Sequence, residues 1–211
     1  MNSIVIYGGS FDPVHNGHIH TALNIHGQFN CDRFIFLPCK LPILKNTTTA
    51  TAEQRVQMLH LALQEYPFFS IDLREIQRTT PSYMVDTLCS FRQELGDTIS
   101  ITLLLGKDAF LQFDKWHEWQ RIISLSHLMV MHRPDLQPGY SSDLENLYSS
   151  HKTSILEDLN TSASGKIYEI NAGNYQISST WVRSQLQQGK DVSGYAPKTV
   201  LTYIQEQNLF K

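Results

Sequence analysis

Short apolar runs alternate along the chain with longer segments whose apolar residues recur every three or four positions. The runs SIVIY (3–7), RFIFLP (33–38), FSIDL (69–73), ISITLLLG (99–106), HLMVMHR (127–133) and KIYEINA (166–172) read as strands. Residues 99–105 and 128–131 are nearly all apolar, as expected of strands covered on both faces. AEQRVQMLHLALQEY (52–66) and SYMVDTLCSFRQEL (82–95) read as helices, and in the first Val56, Leu59, Leu63 and Tyr66 recur at helical spacing. Two more helices are predicted near 179–188 and 197–207. Residues 136–164 are polar and rich in Ser and Asn, and read as a loop with one weakly marked helix.

A strand, a helix and a further strand some thirty residues on form the βαβ rhythm, and here it repeats. It predicts an α/β fold, a doubly wound, Rossmann-like parallel sheet with ligands at the carboxyl ends of its strands. A length of 211 residues suits one domain over 1–211, its helical part at 177–211 included. No internal repeat, linker or low-complexity tract interrupts it.

Composition narrows the partners. The hydrophobic fraction of 41% and charged fraction of 18% are those of an ordinary globular protein. A net charge of −3 argues against nucleic acid or an anionic membrane as partner, while leaving room for a local anion pocket. The cysteines, Cys31, Cys39 and Cys89, are odd in number and lack metal spacing, so they read as reduced thiols. No stretch approaches the roughly 18 apolar residues of a membrane span. The amino terminus has neither the basic region nor the apolar run of a signal peptide, so a cytoplasmic location is expected.

The candidate chemistry begins with IYGGSFDPVHNGHIHTAL (6–23). Gly8 and Gly9 end the first strand and let the backbone pass close to a ligand. A helix beginning near Gly17 would present backbone N–H groups and a partial positive charge, which suit phosphate. His15 would lie just before that helix and His18 in its first turn, where two imidazoles can donate to phosphate oxygens. Neither G-x-G-x-x-G nor G-K-[ST] occurs here, so this is not a dinucleotide fingerprint or a P-loop. No third ligand follows at metal spacing, so no resident metal is expected. Taken alone, the two histidines would favour a capping role.

The block GGSFDPVHNGH (8–18) resembles the signature of the nucleotidyltransferase superfamily, whose H-x-G-H element, here residues 15–18, binds the nucleotide triphosphate. ISSTWVR (177–183) resembles that family's I-S-[ST]-x-x-[RK] block. Its Ser and Thr residues suit a helix N-cap, and Arg183 would fall one turn in, able to offer a fork to phosphate. Together the blocks imply an ATP site that draws on Gly8, Gly9, Ser10 and Phe11, on His15 and His18, and on Ile177, Ser178, Ser179, Thr180 and Arg183. His15, His18 and Arg183 would carry the catalysis.

Further blocks are similar to those of the bacterial nicotinate-mononucleotide adenylyltransferases. TPSYMVDTL (80–88) resembles P-S-Y-T-x-x-T-L, LLGKDAF (104–110) a G-x-D element, KWHEW (115–119) W-x-x-[WY], and MHRPD (131–135) a short R-P turn. The resemblance places Gly106 and Asp108 with ATP. It places Lys45, Ser82, Tyr83, Trp116, His117 and Arg133 with the mononucleotide, Trp116 stacking on the pyridine. Trp119, which could share a face with Ile122 and Ile123, suits the core better.

Three positions depart from the pattern. PILK (42–45) stands where the family has P-P-H-[KR], which leaves Lys40 and Lys45 as phosphate candidates. Met84 replaces a Thr after P-S-Y, and His117 occupies a position that varies in the family.

The resemblance implies adenylyl transfer from ATP, accompanied by Mg²⁺, to nicotinate mononucleotide. Transfer to nicotinamide mononucleotide is the nearest alternative. Transfer to phosphopantetheine ranks third, because that enzyme has Thr in place of His15 and a shorter chain. A non-catalytic dinucleotide-binding module or a dehydrogenase would need the missing glycine fingerprint. Self-association is compatible with the sequence and not determined by it.

Overall fold

Each of the six apolar runs forms a strand: β1 (Ser3–Gly9), β2 (Arg33–Pro38), β3 (Phe69–Ile71), β4 (Ser100–Gly106), β5 (His127–Met131) and β7 (Ile167–Ile170). These come from a computed structural model, which describes residues 2–40, 48–132, 139–173 and 175–211. A further short strand, β6 (Lys152–Thr153), completes a parallel sheet of order β3-β2-β1-β4-β5-β7-β6. The chain moves outward from β1 to β3 and then restarts beside β1 at β4, so the order reverses at that pair. Their register, Tyr7↔Leu104, puts Gly8 and Gly106 at neighbouring strand ends. β4 from Ser100 to Leu105 and β5 from His127 to Val130 are buried throughout, as their apolar composition predicts.

The helices are α1 (Asn16–Gln28), α2 (Ala52–Leu63), α3 (Arg74–Gln77), α4 (Met84–Leu95), α5 (Lys107–Phe110), α6 (Trp119–Leu125), α7 (Ser142–His151), α8 (Ser179–Gln187) and α9 (Lys198–Glu206). α2 starts where it does because Thr51 and Gln54 form a capping box: the Thr51 hydroxyl accepts from the Gln54 N–H, and the Gln54 side chain accepts from the Thr51 N–H. β3 stops at Ile71 because Asp72 turns to the next element, its carboxylate accepting from the Arg74 N–H at 2.9 Å.

The expectation of a largely irregular stretch at 136–164 is corrected over its described part. It carries α7, β6 and a 3-10 turn at Leu156–Asn160. Ser141 caps α7 by accepting from the Leu144 N–H, and Asp143 and Glu145 favour its first turn. Leu144 is the only residue of α7 recorded as buried, so the helix has almost no apolar period to announce it.

The residues group into two compact units. One comprises the chain up to Gly8, Ile25–Ile35 and Tyr83–Ala172; the other comprises Gly9–Asn24, Phe36–Ser82 and Gly173–Lys211. In the first, Arg92 of α4 donates to the carbonyls of Gly96, Ile99, Leu125 and Ala163 and so fastens three loops. In the second, α2 packs on α9, where the Thr199 hydroxyl donates to the Leu61 carbonyl. The three cysteines are free, and burial, then the Asp32 charge, pushes the Cys31 thiol up to about 11.

His127, at the start of β5, is fully buried and serves the first unit as a neutral ring. Its Nδ1 accepts from the Lys166 N–H at 3.0 Å, and Nε2 meets the Ser162 carbonyl at 2.9 Å. Burial holds its pKa below the ordinary histidine range. The unfolded chain therefore takes up a proton near pH ~6.5, before the folded chain does, and stability falls as pH drops below that value. His127→Asn removes the titration while its amide oxygen can still accept from Lys166. We expect the variant to lose less Tm than the parent between about pH 7.5 and about pH 5. Equal losses in thermal melts would refute this.

Candidate active site

β1 ends at Gly9, and the chain then turns through Ser10, Phe11 and a cis Asp12–Pro13 bond into α1. Phe11 adopts a left-handed φ of 48°, which costs a bulky residue on the order of 1 kcal/mol. Its ring recovers this by burial, 5.6 Å from Phe36 and edge-on to the His18 imidazole at 5.1 Å. A Cβ on Gly9 would come within 2.9 Å of that ring, so glycine is required there for packing. Phe11 is 1% exposed, so the residue is spent on packing under the loop.

The two histidines are stacked, ring centroids 3.7 Å apart. His15 is 4% exposed, and His18 is half-buried. The His15 N–H donates to His18 Nδ1 at 3.2 Å. A nitrogen that accepts a backbone N–H carries no proton, so the hydrogen of the neutral His18 ring sits on Nε2. A Cβ on Gly17 would stand 3.0 Å from the His15 ring and 3.4 Å from Ile177, so Gly17 brings the two motif blocks into contact.

α1 begins at Asn16, one residue before the expected Gly17. Its first N–H groups are less available than the sequence suggested. The Asn16 N–H donates to Tyr195 O, and the His18 N–H to His15 O. The side chains therefore have more to offer a phosphate here than the helix terminus alone would suggest.

The second block closes on the same loop. Ser178 caps α8 by accepting from the Trp181 N–H at 3.2 Å, and the Ser179 hydroxyl donates to Pro13 O at 2.9 Å. Arg183, one turn in, donates to Asp12 O at 2.6 Å and to Thr180 Oγ1 at 3.3 Å. Its fork has five N–H groups, more than these two bonds use. The Asp12 carboxylate, 3% exposed, lies 3.8 Å from Arg183 but accepts from the N–H groups of Thr49 and Ala50. Asp12 was not singled out from sequence, although it stands within the first motif block. Lys40 donates to Arg78 O, and Lys45 lies outside the described residues.

The other unit carries the remaining candidates. Asp108 is exposed on α5, its carboxylate folded so closely over Gly106 that a Cβ there would be 2.5 Å from Oδ1. The intervening Lys107 is 4% exposed and donates to Glu169 and Tyr140, each at 2.5 Å. Burial works to lower its pKa, but the hydrogen bonds to Glu169 and Tyr140 prevail and hold it above the ordinary lysine range.

Tyr83, the N-cap of α4, packs against His117 with centroids 4.3 Å apart and planes tilted by 35°. His117 is half-exposed and lies 3.5 Å from the Glu118 carboxylate. Trp116 rests on Phe113 at 5.4 Å, and its indole Nε1 is buried with no hydrogen-bond partner among the described residues. Trp119 also meets Phe113, edge-on at 6.0 Å, and Ile122 and Ile123 of the same helix are buried. Met84 Cε stands 3.4 Å from where a Gly8 Cβ would be, so the methionine uses the space that glycine leaves. The Ser82 hydroxyl lies 3.5 Å from Glu75 O in its own unit, and Arg133 lies outside the described residues. Among the described residues, no three of His, Cys, Asp and Glu converge to hold a metal.

The profile of the cytidylyltransferase-like family matches residues 6–185, both motif blocks included. The chain belongs to this family. Relatives are similar over their whole length. A probable nicotinate-nucleotide adenylyltransferase of Legionella pneumophila (strain Lens) is 47% identical, covering 100% of both chains. One from Methylococcus capsulatus is 38% identical over 98% of this chain and 99% of its own. The family fold is also that of a solved Plasmodium falciparum nicotinic acid mononucleotide adenylyltransferase complexed with NaAD, at 18% identity and a TM-score of 0.75, covering 100% of this chain and 98% of that one.

Proposed function

We propose that the chain transfers the adenylyl group of ATP to nicotinate mononucleotide, giving nicotinate adenine dinucleotide and pyrophosphate in NAD biosynthesis. The observation that carries the reading is His18, turned by the His15 N–H so that Nε2 donates, packed in one unit with the Arg183 fork. The names of the full-length relatives point to the same reaction.

In this reading a phosphate oxygen of the mononucleotide forms a bond to the α-phosphorus, and the bond from that phosphorus to the pyrophosphate oxygen breaks. The nucleophile is already an anion, so the protein has little proton chemistry to do. Its task is positioning and neutralising the charge that builds on the triphosphate. His18 and Arg183 supply donors, with His15 beneath them. Mg²⁺ would arrive on the triphosphate and share that neutralisation. Asp108, exposed beside Gly106, is the acceptor offered to the ATP ribose or adenine. Trp116, and the Tyr83–His117 pair, are the aromatic candidates for the pyridine. The free thiols agree with work in the cytoplasm, and no described helix is long and apolar enough to cross a membrane.

Pyrophosphate release from ATP and Mg²⁺ with each acceptor in turn tests the proposal. Release should be fastest with nicotinate mononucleotide. Release with phosphopantetheine alone, or none with any pyridine mononucleotide, would overturn it.

A further inference from the structure

Among the described residues, the largest fully buried side chain is not apolar. Arg55, on α2, is 0% exposed. Its Nη1 donates to Ser10 O at 2.7 Å and Cys39 O at 2.8 Å, and its Nη2 to Lys40 O at 2.7 Å. Its Nε is buried and has no hydrogen-bond partner among the described residues. These bonds run to backbone carbonyls and not to carboxylates. Putting a guanidinium inside a protein on such terms is costly, and a Met of similar volume would avoid the expense. Something other than packing must therefore favour a cation here.

What the guanidinium holds is informative. Ser10 lies between Gly9 and Phe11 in the first motif block, and the Cys39 and Lys40 carbonyls follow β2. The start of α2 holds the same loop from a second point, because Asp12 accepts from the N–H groups of Thr49 and Ala50 just before the Thr51 cap. Asp12 in turn receives Arg183 through its backbone carbonyl. Arg55 on α2 and the two N–H groups just before that helix thus hold the loop on either side of Phe11. All of these residues belong to one unit.

The geometry points to Arg55 as a positioning residue for the triphosphate: from inside the fold it sets the place of the Ser10–Asp12 backbone and adds a fixed positive charge behind it. This rests on the adenylyl-transfer reading above. A guanidinium does not lose its proton at any working pH, so the charge is permanent. Its planar fork can meet three carbonyls from two segments at once, which the single ammonium of Lys cannot do in the same geometry.

Arg55→Lys and Arg55→Met test the role. The measurements are KM for ATP, KM for nicotinate mononucleotide, and calorimetric binding of ATP and of inorganic tripolyphosphate. They are made below each variant's own melting transition, with circular dichroism to confirm the fold. KM and Kd do not depend on the fraction of active protein, so a merely stabilising residue would lower Tm and leave them unchanged. We expect Arg55→Lys to weaken ATP and tripolyphosphate by about tenfold, and Arg55→Met by more, because a shift of the loop of about 1 Å is enough to spoil the fit. The mononucleotide KM should stay within about twofold.

Unchanged triphosphate affinity in Arg55→Lys would overturn the inference, and so would equal weakening of both substrates. An Arg55→Lys chain that does not fold would assign the residue to stability alone and also overturn it. A parent chain that binds neither ATP nor tripolyphosphate would instead refute the function, and the inference with it.

Discussion

Replacing His18 with Ala is expected to lower kcat by about 10²–10³ with ATP saturating and the fold intact, the cost of one donor aimed at developing charge. The geometry makes a sharper comparison available. His18 Nδ1 is already engaged with the His15 N–H, so Nε2 can only donate while the ring is neutral. Gln carries an N–H donor close to the position of Nε2, whereas it cannot act as a base. His18→Gln should therefore recover about tenfold or more of the loss if the ring donates to phosphate. Equal loss in the Ala and Gln variants would favour proton abstraction, and turnover within a few-fold of the parent in both would remove His18 from the chemistry.

The second large effect is acceptor choice. Nicotinate and nicotinamide differ by a carboxylate against a neutral amide, so discrimination must come from the donors that face that group. Met84 packs on Gly8 and offers no hydrogen bond, which leaves backbone N–H groups near Tyr83 and His117 and the buried Trp116 Nε1 as candidates. Charge-assisted hydrogen bonds are roughly twice as strong as neutral ones. An amide that turns its own NH₂ toward such donors leaves buried groups unpaired, at about 1–3 kcal/mol each. Two mismatches give a preference for nicotinate mononucleotide on the order of 10² in kcat/KM. Side-by-side values for the two acceptors decide it. Parity, or a preference for the amide, would refute the assignment and leave adenylyl transfer standing.

Local chemistry made much of the fold legible in the sequence. β4 and β5 are largely apolar runs, and runs of that kind can be buried on both faces in only a few arrangements. The motif blocks were legible for a related reason. Gly9, Gly17 and Gly106 stand where a Cβ would strike Phe11, His15 or Asp108, so the spacing of glycines and histidines records backbone constraints directly. Ser178 was readable as a cap because capping is decided within one turn.

What lay beyond the sequence depends on partners distant along the chain. α7 was weakly marked because it has little apolar period, and β6 exists only through its pairing with β7. An arginine at position 55 on an otherwise amphipathic helix looks like a solvated charge. It is fully buried because Ser10, Cys39 and Lys40 supply carbonyls from 45, 16 and 15 residues away. The proton on His18 is a similar case, since it follows from one hydrogen bond that no spacing rule predicts. The sequence by itself determined the βαβ rhythm, the motif residues and the family, because apolar period, capping and glycine sterics act over a few residues. The tertiary structure alone decided which charges are buried, which His18 nitrogen accepts and which carbonyls Arg55 holds, because those depend on long-range burial and hydrogen bonds.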